Sequence, residues 1–180
     1  MQHEVQFAGF GGQGIMMIGK ILAHAAMQSG SDVIWIPSYG PEMRGGTAYC
    51  TVVTSDHPIG SPIIQSPEHL VAMNRPSLEK FVPRIKSGGV VLVNSSLISI
   101  TSGRQDIDEF RVPVVELVNK LGNAKVANII ALGAFTARSR IVSFDTLKDA
   151  VRQEFKGRES LITINLKALV EGRKAAKRSS

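Results

Sequence analysis

The sequence has few of the features on which secreted and membrane-spanning proteins depend. Cys50 is the only cysteine, so no internal disulfide can form. No run of about 18 apolar residues, the minimum for a membrane-spanning helix, occurs in the chain. Residues Met1–Glu4 lack the basic and apolar regions that open a signal peptide. We therefore expect a cytoplasmic protein that does not enter a membrane.

Size and composition predict one domain. A chain of 180 residues with 43% hydrophobic content can enclose a sizeable core, and no linker or repeat divides it. The net charge is +6, but much of the excess lies in a few basic residues after Gly172. We expect residues 172–180 to form a basic, frayed tail and not a nucleic-acid surface.

Side chains that commonly perform catalysis or hold metals lack the required spacing. The four histidines are scattered, without a His-x-x-x-His pair, and the carboxylates form no paired pattern. Ser95 and Ser96 lack the Gly-x-Ser-x-Gly turn of hydrolases. The sequence therefore predicts no metal site and no catalytic residue within this chain.

A Gly-x-Gly-x-x-Gly run, formed by Gly9, Gly11 and Gly14, lies between an apolar strand pattern and an amphipathic helix pattern. The glycines let the chain turn sharply and let backbone amides approach an anion, while the following helix directs its unpaired N-terminal amides to the same place. The run predicts a phosphate site that includes Gly12 and Gln13. The alternative is a tight turn that binds no ligand.

The second strand pattern, Val33–Ile36, ends in the sequence Pro-Ser-Tyr-Gly at residues 37–40. A dinucleotide site of this kind normally carries Asp or Glu about 20 residues after the glycines, where the carboxylate bonds the ribose. No carboxylate stands at the end of this strand. The sequence therefore disfavours NAD or FAD and leaves open another phosphate-bearing ligand.

A second loop follows that strand. Thr47–Thr54 then returns with strand composition and no intervening helix, which predicts an antiparallel strand. Because ligands collect at the carboxyl ends of strands in open α/β sheets, we expect this loop to lie beside the glycine-rich turn. Arg44 could hold a phosphate or carboxylate there with its planar fork, although an ordinary surface arginine is the alternative. The candidate binding residues of the loop are Ser38, Tyr39, Gly40, Arg44, Gly45 and Gly46.

Polar residues follow two further strand patterns. Leu70–Met73 ends at Asn74, and Val90–Val93 ends at Asn94 and Ser95. If these strands are parallel to the first, the polar side chains line the same edge of the sheet. Each is also a common turn former, so we base the binding prediction on the set.

These patterns predict a three-layer α/β domain with a Rossmann-like, mostly parallel sheet. Helices are expected over Gln13–Ser29, Ser77–Lys86, Ala124–Arg138, Phe144–Phe155 and Leu161–Lys177. Strands are expected over Glu4–Ala8, Asp32–Pro37, Thr47–Thr54, Leu70–Met73, Gly89–Asn94 and Val112–Glu116. The helix through residues 126–135 is apolar nearly all round, which indicates a buried central helix or one whose face with Asn128, Gly133 and Ala134 packs on a partner.

Several of these segments together resemble the gamma subunit of 2-oxoacid:ferredoxin oxidoreductases, over nearly the whole chain. The longest is the string Pro-Ser-Tyr-Gly-Pro-Glu-Met-Arg-Gly-Gly at residues 37–46, which is more similar to the 2-oxoglutarate enzymes than to the pyruvate enzymes. The other segments are Gly9–Gly14, Thr47–Cys50, Ser61–Pro62, Ala72–Asn74, Asn94–Ser96 and Leu132–Ala134.

The resemblance implies a complex that decarboxylates a 2-oxoacid on thiamine diphosphate, reduces ferredoxin through iron–sulfur clusters and transfers the acyl group to coenzyme A. A cubane cluster takes four cysteine thiolates, and this chain has only Cys50 and no Gly-Asp-Gly thiamine motif. Thiamine diphosphate, magnesium and [4Fe–4S] clusters are therefore expected on partner alpha and beta subunits, with a ferredoxin-like delta subunit as a further candidate. Ferredoxin would interact only indirectly, and coenzyme A would be shared with the partners.

Two alternatives remain open at this point. The chain could serve the same role in a pyruvate, 2-oxoisovalerate or indolepyruvate enzyme. It could also be an independent nucleotide-binding module with a Rossmann-like fold. The absent ribose carboxylate and the long matched loop favour the oxidoreductase subunit.

Overall fold

The computed structural model describes residues 1–39, 47–61 and 63–178. The strands are β1 (Gln2–Phe10), β2 (Asp32–Tyr39), β3 (Thr47–Ser55), β4 (His69–Ala72), β5 (Val90–Asn94) and β6 (Asp108–Val112). The helices are α1 (Ile15–Gln28), α2 (Arg75–Phe81), α3 (Val114–Leu121), α4 (Ala127–Ser139), α5 (Phe144–Glu154) and α6 (Glu159–Arg178).

The strands form one sheet of six in the order β2-β3-β1-β4-β5-β6. The four strands β1, β4, β5 and β6 are parallel, whereas β3 is antiparallel to both β1 and β2. The expected α/β fold, with its mostly parallel sheet and the antiparallel return after the second loop, is confirmed. One detail was not foreseen: β3 lies between β1 and β2 and separates them.

Alternate residues of the strands face two different apolar layers. Phe7 and Leu92 join the larger cluster, which is covered by α1 and by α3 to α6. Ala8, Val91 and Val93 join the smaller cluster beneath α2. The sheet is thus the middle of three layers. Within the part of the chain that the structure describes, no helix has both the length and the apolar character needed to cross a membrane.

Helix α4 is buried because α6 covers it at very close range. A Cβ added to Gly133 would lie 2.4 Å from the carbonyl oxygen of Leu169, and one added to Gly172 would lie 2.0 Å from that of Ile130. The prediction of a buried central helix is therefore confirmed. The alternative, a face of α4 packed on a partner, is wrong for Gly133 and Ala134, since α6 occupies it.

The carboxyl-terminal segment is helical, as predicted. Helix α6 continues to Arg178, and within its last turns Ala175 and Ala176 are buried. The helix predicted to Lys177 is confirmed, and the fraying of residues 172–180 stays a prediction. Gly172 lets α6 approach α4 closely, whereas Arg173, Lys174 and Lys177 are exposed.

The predicted strand Val112–Glu116 is wrong. The strand lies earlier, at β6, where Phe110 and Val112 are buried and the other three residues are charged. Pro113 then occupies the position before α3, and its fixed φ suits a helix start. The apolar residues after it recur at helical spacing and pack on the larger cluster, so a run that looks like a strand core is the first turn of a helix.

Two other predicted helices are subdivided. The helix predicted over Ser77–Lys86 begins earlier, as α2, and ends at Phe81, after which Val82–Arg84 form a 3₁₀ turn. Pro83 lacks the amide hydrogen that an α-helix needs at this position. The helix predicted from Ala124 begins with a 3₁₀ turn, Ala124–Val126, before α4.

Candidate functional site

A cleft of about 380 Å³ opens at the carboxyl edge of the sheet, where β1, β4 and β5 end and α3 begins. We call it the carboxyl-edge cleft. It brings together Gly12, Gln13 and Gly14 of the glycine-rich turn, Asn94 at the end of β5, and Lys125 and Asn128 near the start of α4.

The glycine-rich turn folds tightly against its own side chains. Gly12 and Gly14 have φ values of 94° and 71°, which other residues rarely adopt. A Cβ at Gly9 would lie 2.4 Å from Oε1 of Gln13, and that same oxygen accepts the amide hydrogen of Phe10 at 2.7 Å. Gly9 and Gln13 therefore shape the turn, and Gly12 and Gly14 line the cleft.

The N-terminus of α1 opens at this turn. Within the described residues no side chain caps it, and its first turn carries no acidic residue. The first amides of a helix have no carbonyl partner inside the helix, and the helix dipole adds positive potential there. The turn can therefore stabilise an anion such as a phosphate group.

Asn128 joins α4 to the turn. Its Nδ2 donates to the carbonyl oxygen of Gly14 at 3.1 Å, and its Oδ1 accepts the amide hydrogen of Ile129 at 2.9 Å. The residue is only 4% exposed. Its role is to fix the turn, since it lies inside the fold and not on a partner-facing surface.

The two strand-end asparagines have different roles. Oδ1 of Asn74 accepts the amide hydrogen of Ser77 at 2.9 Å and so caps α2. Nδ2 of Asn94 donates to the carbonyl oxygen of Met73 at 3.3 Å, whereas its buried Oδ1 has no partner among the described residues. Only Asn94 lines the carboxyl-edge cleft. Ser95, which is half-buried, donates its amide hydrogen to Val112 at 2.9 Å and is not among the lining residues.

The second loop is only partly described. Ser38 and Tyr39 are the last residues of β2 and pair with Tyr49 and Ala48 of β3. Because β3 separates β2 from β1, Ser38 does not line the carboxyl-edge cleft. The remaining predicted loop residues lie outside the described residues, namely Gly40, Arg44, Gly45 and Gly46. Thr47, which follows them, pairs with Phe10 at the glycine-rich turn.

Lys125 is the lining residue that sequence reasoning missed. It is exposed, and its amide hydrogen is bound by Oδ1 of Asn123 at 3.0 Å, so the 3₁₀ turn before α4 begins at a fixed place. The sequence signals the asparagine cap before an apolar helix, but not that this cap lies at the cleft. Met17, Leu97 and Val115 add exposed apolar surface around the same cleft.

Cys50 is inaccessible. It is fully buried, and a Cβ on Gly19 of α1 would lie 2.4 Å from its Sγ. Burial raises the pKa of the Cys50 thiol from 9.0 to about 12, so the thiolate does not form near neutral pH. The predicted role of a small buried hydrophobic side chain fits this environment.

His3, Glu68 and His69 form a cluster at the opposite edge of the sheet, which their scattered positions did not suggest. Nδ1 of His3 lies 2.7 Å from Oε2 of Glu68. Nδ1 of His69 accepts the amide hydrogen of Val90 at 2.9 Å, which places the proton of the neutral ring on Nε2, 3.3 Å from Glu68. A metal on that nitrogen would require an imidazolate, so the cluster suits the hydrogen bond between His3 and Glu68 better than a metal.

Comparisons with known proteins agree with this architecture. The sequence profile of the family described as pyruvate ferredoxin/flavodoxin oxidoreductase matches residues 4–175. The chain is 39% identical over 170 residues to the ketoisovalerate oxidoreductase subunit VorA of Methanothermobacter thermautotrophicus, covering 94% of this chain and 35% of that protein. It is 36% identical over 181 residues to the 2-oxoglutarate synthase subunit KorC of Methanocaldococcus jannaschii, covering 98% and 95%.

A solved structure has the same fold. The keto/oxoacid ferredoxin oxidoreductase gamma subunit from Geobacter sulfurreducens superposes with a TM-score of 0.88 at 31% identity, covering 99% of this chain and 98% of that one. The chain spans about a third of the length of the VorA relative. The resemblance found in the sequence is confirmed: the chain belongs to the pyruvate ferredoxin/flavodoxin oxidoreductase family, as a gamma-type subunit or domain.

Proposed function

We propose that the chain is the gamma subunit of a cytoplasmic complex that oxidatively decarboxylates 2-oxoglutarate to succinyl-CoA with ferredoxin as electron acceptor. The loop string at residues 37–46 and the KorC relative, which is covered nearly end to end, support 2-oxoglutarate. The VorA relative makes the branched-chain 2-oxoisovalerate the alternative substrate.

The carboxyl-edge cleft carries this proposal, as a binding site for part of coenzyme A. Phosphate groups of the ligand would contact the amides near Gly12 and the ammonium of Lys125, both of which line the cleft. The unpartnered Oδ1 of Asn94 would accept a hydrogen bond from an amide of the ligand, which satisfies a buried polar atom. The donor set thus fits a ligand that carries both phosphates and amides.

The size of the cleft indicates that the ligand is shared. Its volume of about 380 Å³ lies near the lower end of the range for ligand pockets, roughly 300–1,000 Å³. Apolar side chains at its border are 37% (Met17), 51% (Leu97) and 42% (Val115) exposed. A partner subunit that covers this border would complete the site and bury the apolar surface.

The topology of the sheet disfavours a dinucleotide. In a Rossmann fold the second strand lies beside the first, and a carboxylate at its end bonds the ribose. Here β3 separates β2 from β1, and β2 ends in Ser38 and Tyr39. The position that would hold the ribose of NAD is therefore displaced from the glycine-rich turn.

The redox chemistry is assigned to the partners. Cys50 is the only cysteine and is packed under α1, so it supplies no ligand to a cluster. We place thiamine diphosphate, magnesium and the [4Fe–4S] clusters on alpha and beta subunits, with delta as a further candidate. The isolated chain should contain no iron and no thiamine, and it should not reduce ferredoxin with any 2-oxoacid.

The test is copurification of intact partner subunits with the tagged chain, followed by kinetics of the complex. Lys125→Gln should raise the coenzyme A concentration for half-maximal rate roughly tenfold or more, as expected for one charge-assisted contact. Arg44→Ala should have a similar effect with normal assembly. Lys156→Gln removes an exposed charge outside the cleft and is the matched control.

Three outcomes would contradict the proposal. NAD that binds the complex more tightly than coenzyme A would favour a nucleotide-binding module. An unchanged coenzyme A requirement in Lys125→Gln would remove the cleft from the ligand site. A higher kcat/KM for 2-oxoisovalerate than for 2-oxoglutarate would assign the complex to the branched-chain substrate.

A further inference from the structure

A second cavity, of about 550 Å³, lies at the other end of α4. Asn128 at the start of α4 contacts the glycine-rich turn, whereas Arg138 near its end bonds Asp108, the first residue of β6. The 13 residues of α4 span about 20 Å. This cavity is therefore separate from the carboxyl-edge cleft, and we call it the basic cavity.

Three cationic side chains line the basic cavity. Arg140 comes from the end of α4, and Arg173 and Lys177 come from α6. Among the described residues no carboxylate lies within ion-pair distance of any of the three. Asp145 interacts electrostatically with Arg173, but its carboxylate pairs with Lys148 at 2.5 Å.

Arg140 adopts an unfavourable backbone conformation. Its φ is 57° and its ψ is 22° at the C-terminal end of α4, a left-handed position that glycine or asparagine normally occupies. It is the one non-glycine residue with a positive φ among those the structure describes. Strained backbone positions of this kind cluster at functional sites, which points to a function for the Arg140 side chain.

Arg173 and Lys177 add a second unfavourable feature. They are four residues apart on α6, where like charges lie side by side and repel. The guanidinium of Arg173 is nevertheless held in place, with its Cζ 4.4 Å from the centroid of the Phe144 ring. The helix dipole favours cations at the C-terminal end of a helix. That preference does not account for the position of Arg173, nor for the meeting of all three cations at one cavity.

We propose that the basic cavity binds a phosphate group, either free or carried by a small organic molecule. A dianion with three acceptor oxygens can accept hydrogen bonds from two guanidinium forks and one ammonium, which offsets the repulsion among them. The apolar wall formed by Val142 and Phe144 leaves room for an organic substituent. This inference does not depend on the proposed function.

The test is titration of the full chain with orthophosphate and with phenyl phosphate at constant ionic strength, followed by amide NMR. Signals of Ser143 and Phe144 report on the basic cavity, and the signal of Gly12 reports on the carboxyl-edge cleft. We expect saturable shifts at Ser143 and Phe144 with a dissociation constant of about 1 mM or tighter. Tighter binding of phenyl phosphate would identify an organic phosphate, and equal binding would identify the free anion.

Arg140→Gly is the decisive variant, because it removes the cation and relieves the left-handed strain together. Its thermal stability without phosphate should equal or exceed that of the wild type, while its phosphate affinity should fall about tenfold. Arg173→Gln should weaken binding similarly. Lys125→Gln at the other edge and Lys156→Gln at the far end of α5 should leave these shifts unchanged.

Several results would overturn the proposal. If Lys156→Gln weakened binding as much as Arg140→Gly, the effect would be general electrostatics. If acetate shifted the same signals at the same concentrations as orthophosphate, the site would not select phosphate. The signals of Ser143 and Phe144 could also stay unchanged up to roughly 10 mM phosphate, ten times the weakest dissociation constant that we expect. That result would exclude the site.

Discussion

The side-chain amide of Asn128 donates to the carbonyl oxygen of Gly14 at 3.1 Å and so ties the buried helix α4 to the glycine-rich turn. The contact is so close that a Cβ on Gly14 would lie 2.2 Å from Nδ2 of Asn128. Gly14 is therefore needed for two reasons, its φ of 71° and the space that Asn128 takes. The shape of the candidate site depends on this pair.

Gly14→Ala should destabilise the chain by roughly 1.5–3.5 kcal/mol. About 1–2 kcal/mol comes from a left-handed alanine, and a further 0.5–1.5 kcal/mol, roughly, comes from displacing the Asn128 hydrogen bond. Equilibrium unfolding in urea measures the sum.

Gly122→Ala is a closely matched control. Gly122 has φ 68° and ψ 21°, almost the values at Gly14, 71° and 25°, but nothing lies within 4 Å of its added Cβ. Gly122→Ala should lose only the backbone contribution, about 1–2 kcal/mol. In an Asn128→Ala background the cost of Gly14→Ala should approach that value. Equal losses for both glycines in the wild-type background would mean that Asn128 moves aside freely.

A second prediction concerns Cys50 at high pH. Its pKa is about 12 in the folded chain and 9.0 ordinarily, so the unfolded chain loses this proton first as the pH rises. The contribution of the protonated Cys50 thiol to the free energy of unfolding is fully present below about pH 9. It falls between about pH 9 and 12, by at most about 1.4 kcal/mol per pH unit. Between about pH 8 and 10 the wild type should lose roughly 1–1.5 kcal/mol more stability than Cys50→Ala. Parallel curves for the two proteins would show that the thiol ionises in the folded state.

The sequence predicted the fold well wherever a local pattern decides it. The alternation of β1 and the spacing of α1 predicted the glycine-rich turn between them, and the lack of a helix before Thr47 predicted an antiparallel return. Position within the sheet was not predictable, because β3 pairs with its chain neighbour β2 and also with β1, through residues distant in the chain. Helix α3 was missed since an apolar run of four residues fits a strand or a helix equally.

The candidate site was predictable in part for the same reason. Gly12, Gly14 and Asn94 follow strand ends, and parallel strands bring their carboxyl ends to one edge. Lys125 lies in the 3₁₀ turn before α4 and Asn128 in α4 itself, which reaches this edge only through its packing on α6 and the sheet. No local pattern near Lys125 indicates that contact, and the same limit applies to the meeting of His3 with His69.

A third prediction follows from His69. Burial lowers the pKa of His69 below its ordinary value of 6.5, with Glu68 acting in the opposite direction. As the pH falls through 6.5 the unfolded chain therefore takes up this proton before the folded chain does, and stability falls. His69→Gln should show a shallower loss of stability between about pH 6.5 and 5.5 than the wild type. His57→Gln, which changes an exposed side chain, should follow the wild type; if it alone flattened the curve, the assignment to His69 would be wrong.

The last prediction concerns the contact between α6 and α4. Alanine favours a helix over glycine by about 1 kcal/mol, so Gly172→Ala on an exposed helix would be stabilising. Here the added Cβ would lie 2.0 Å from the carbonyl oxygen of Ile130, a backbone atom that cannot rotate away. The two helices must separate, which overpacking studies place at roughly 1–3 kcal/mol. We expect a net loss of stability and a lower Tm by thermal unfolding. Lys167→Ala, an exposed change on the same helix, should stay within about 0.5 kcal/mol of the wild type. A gain in stability for Gly172→Ala would mean that α4 and α6 are not held at this distance in solution.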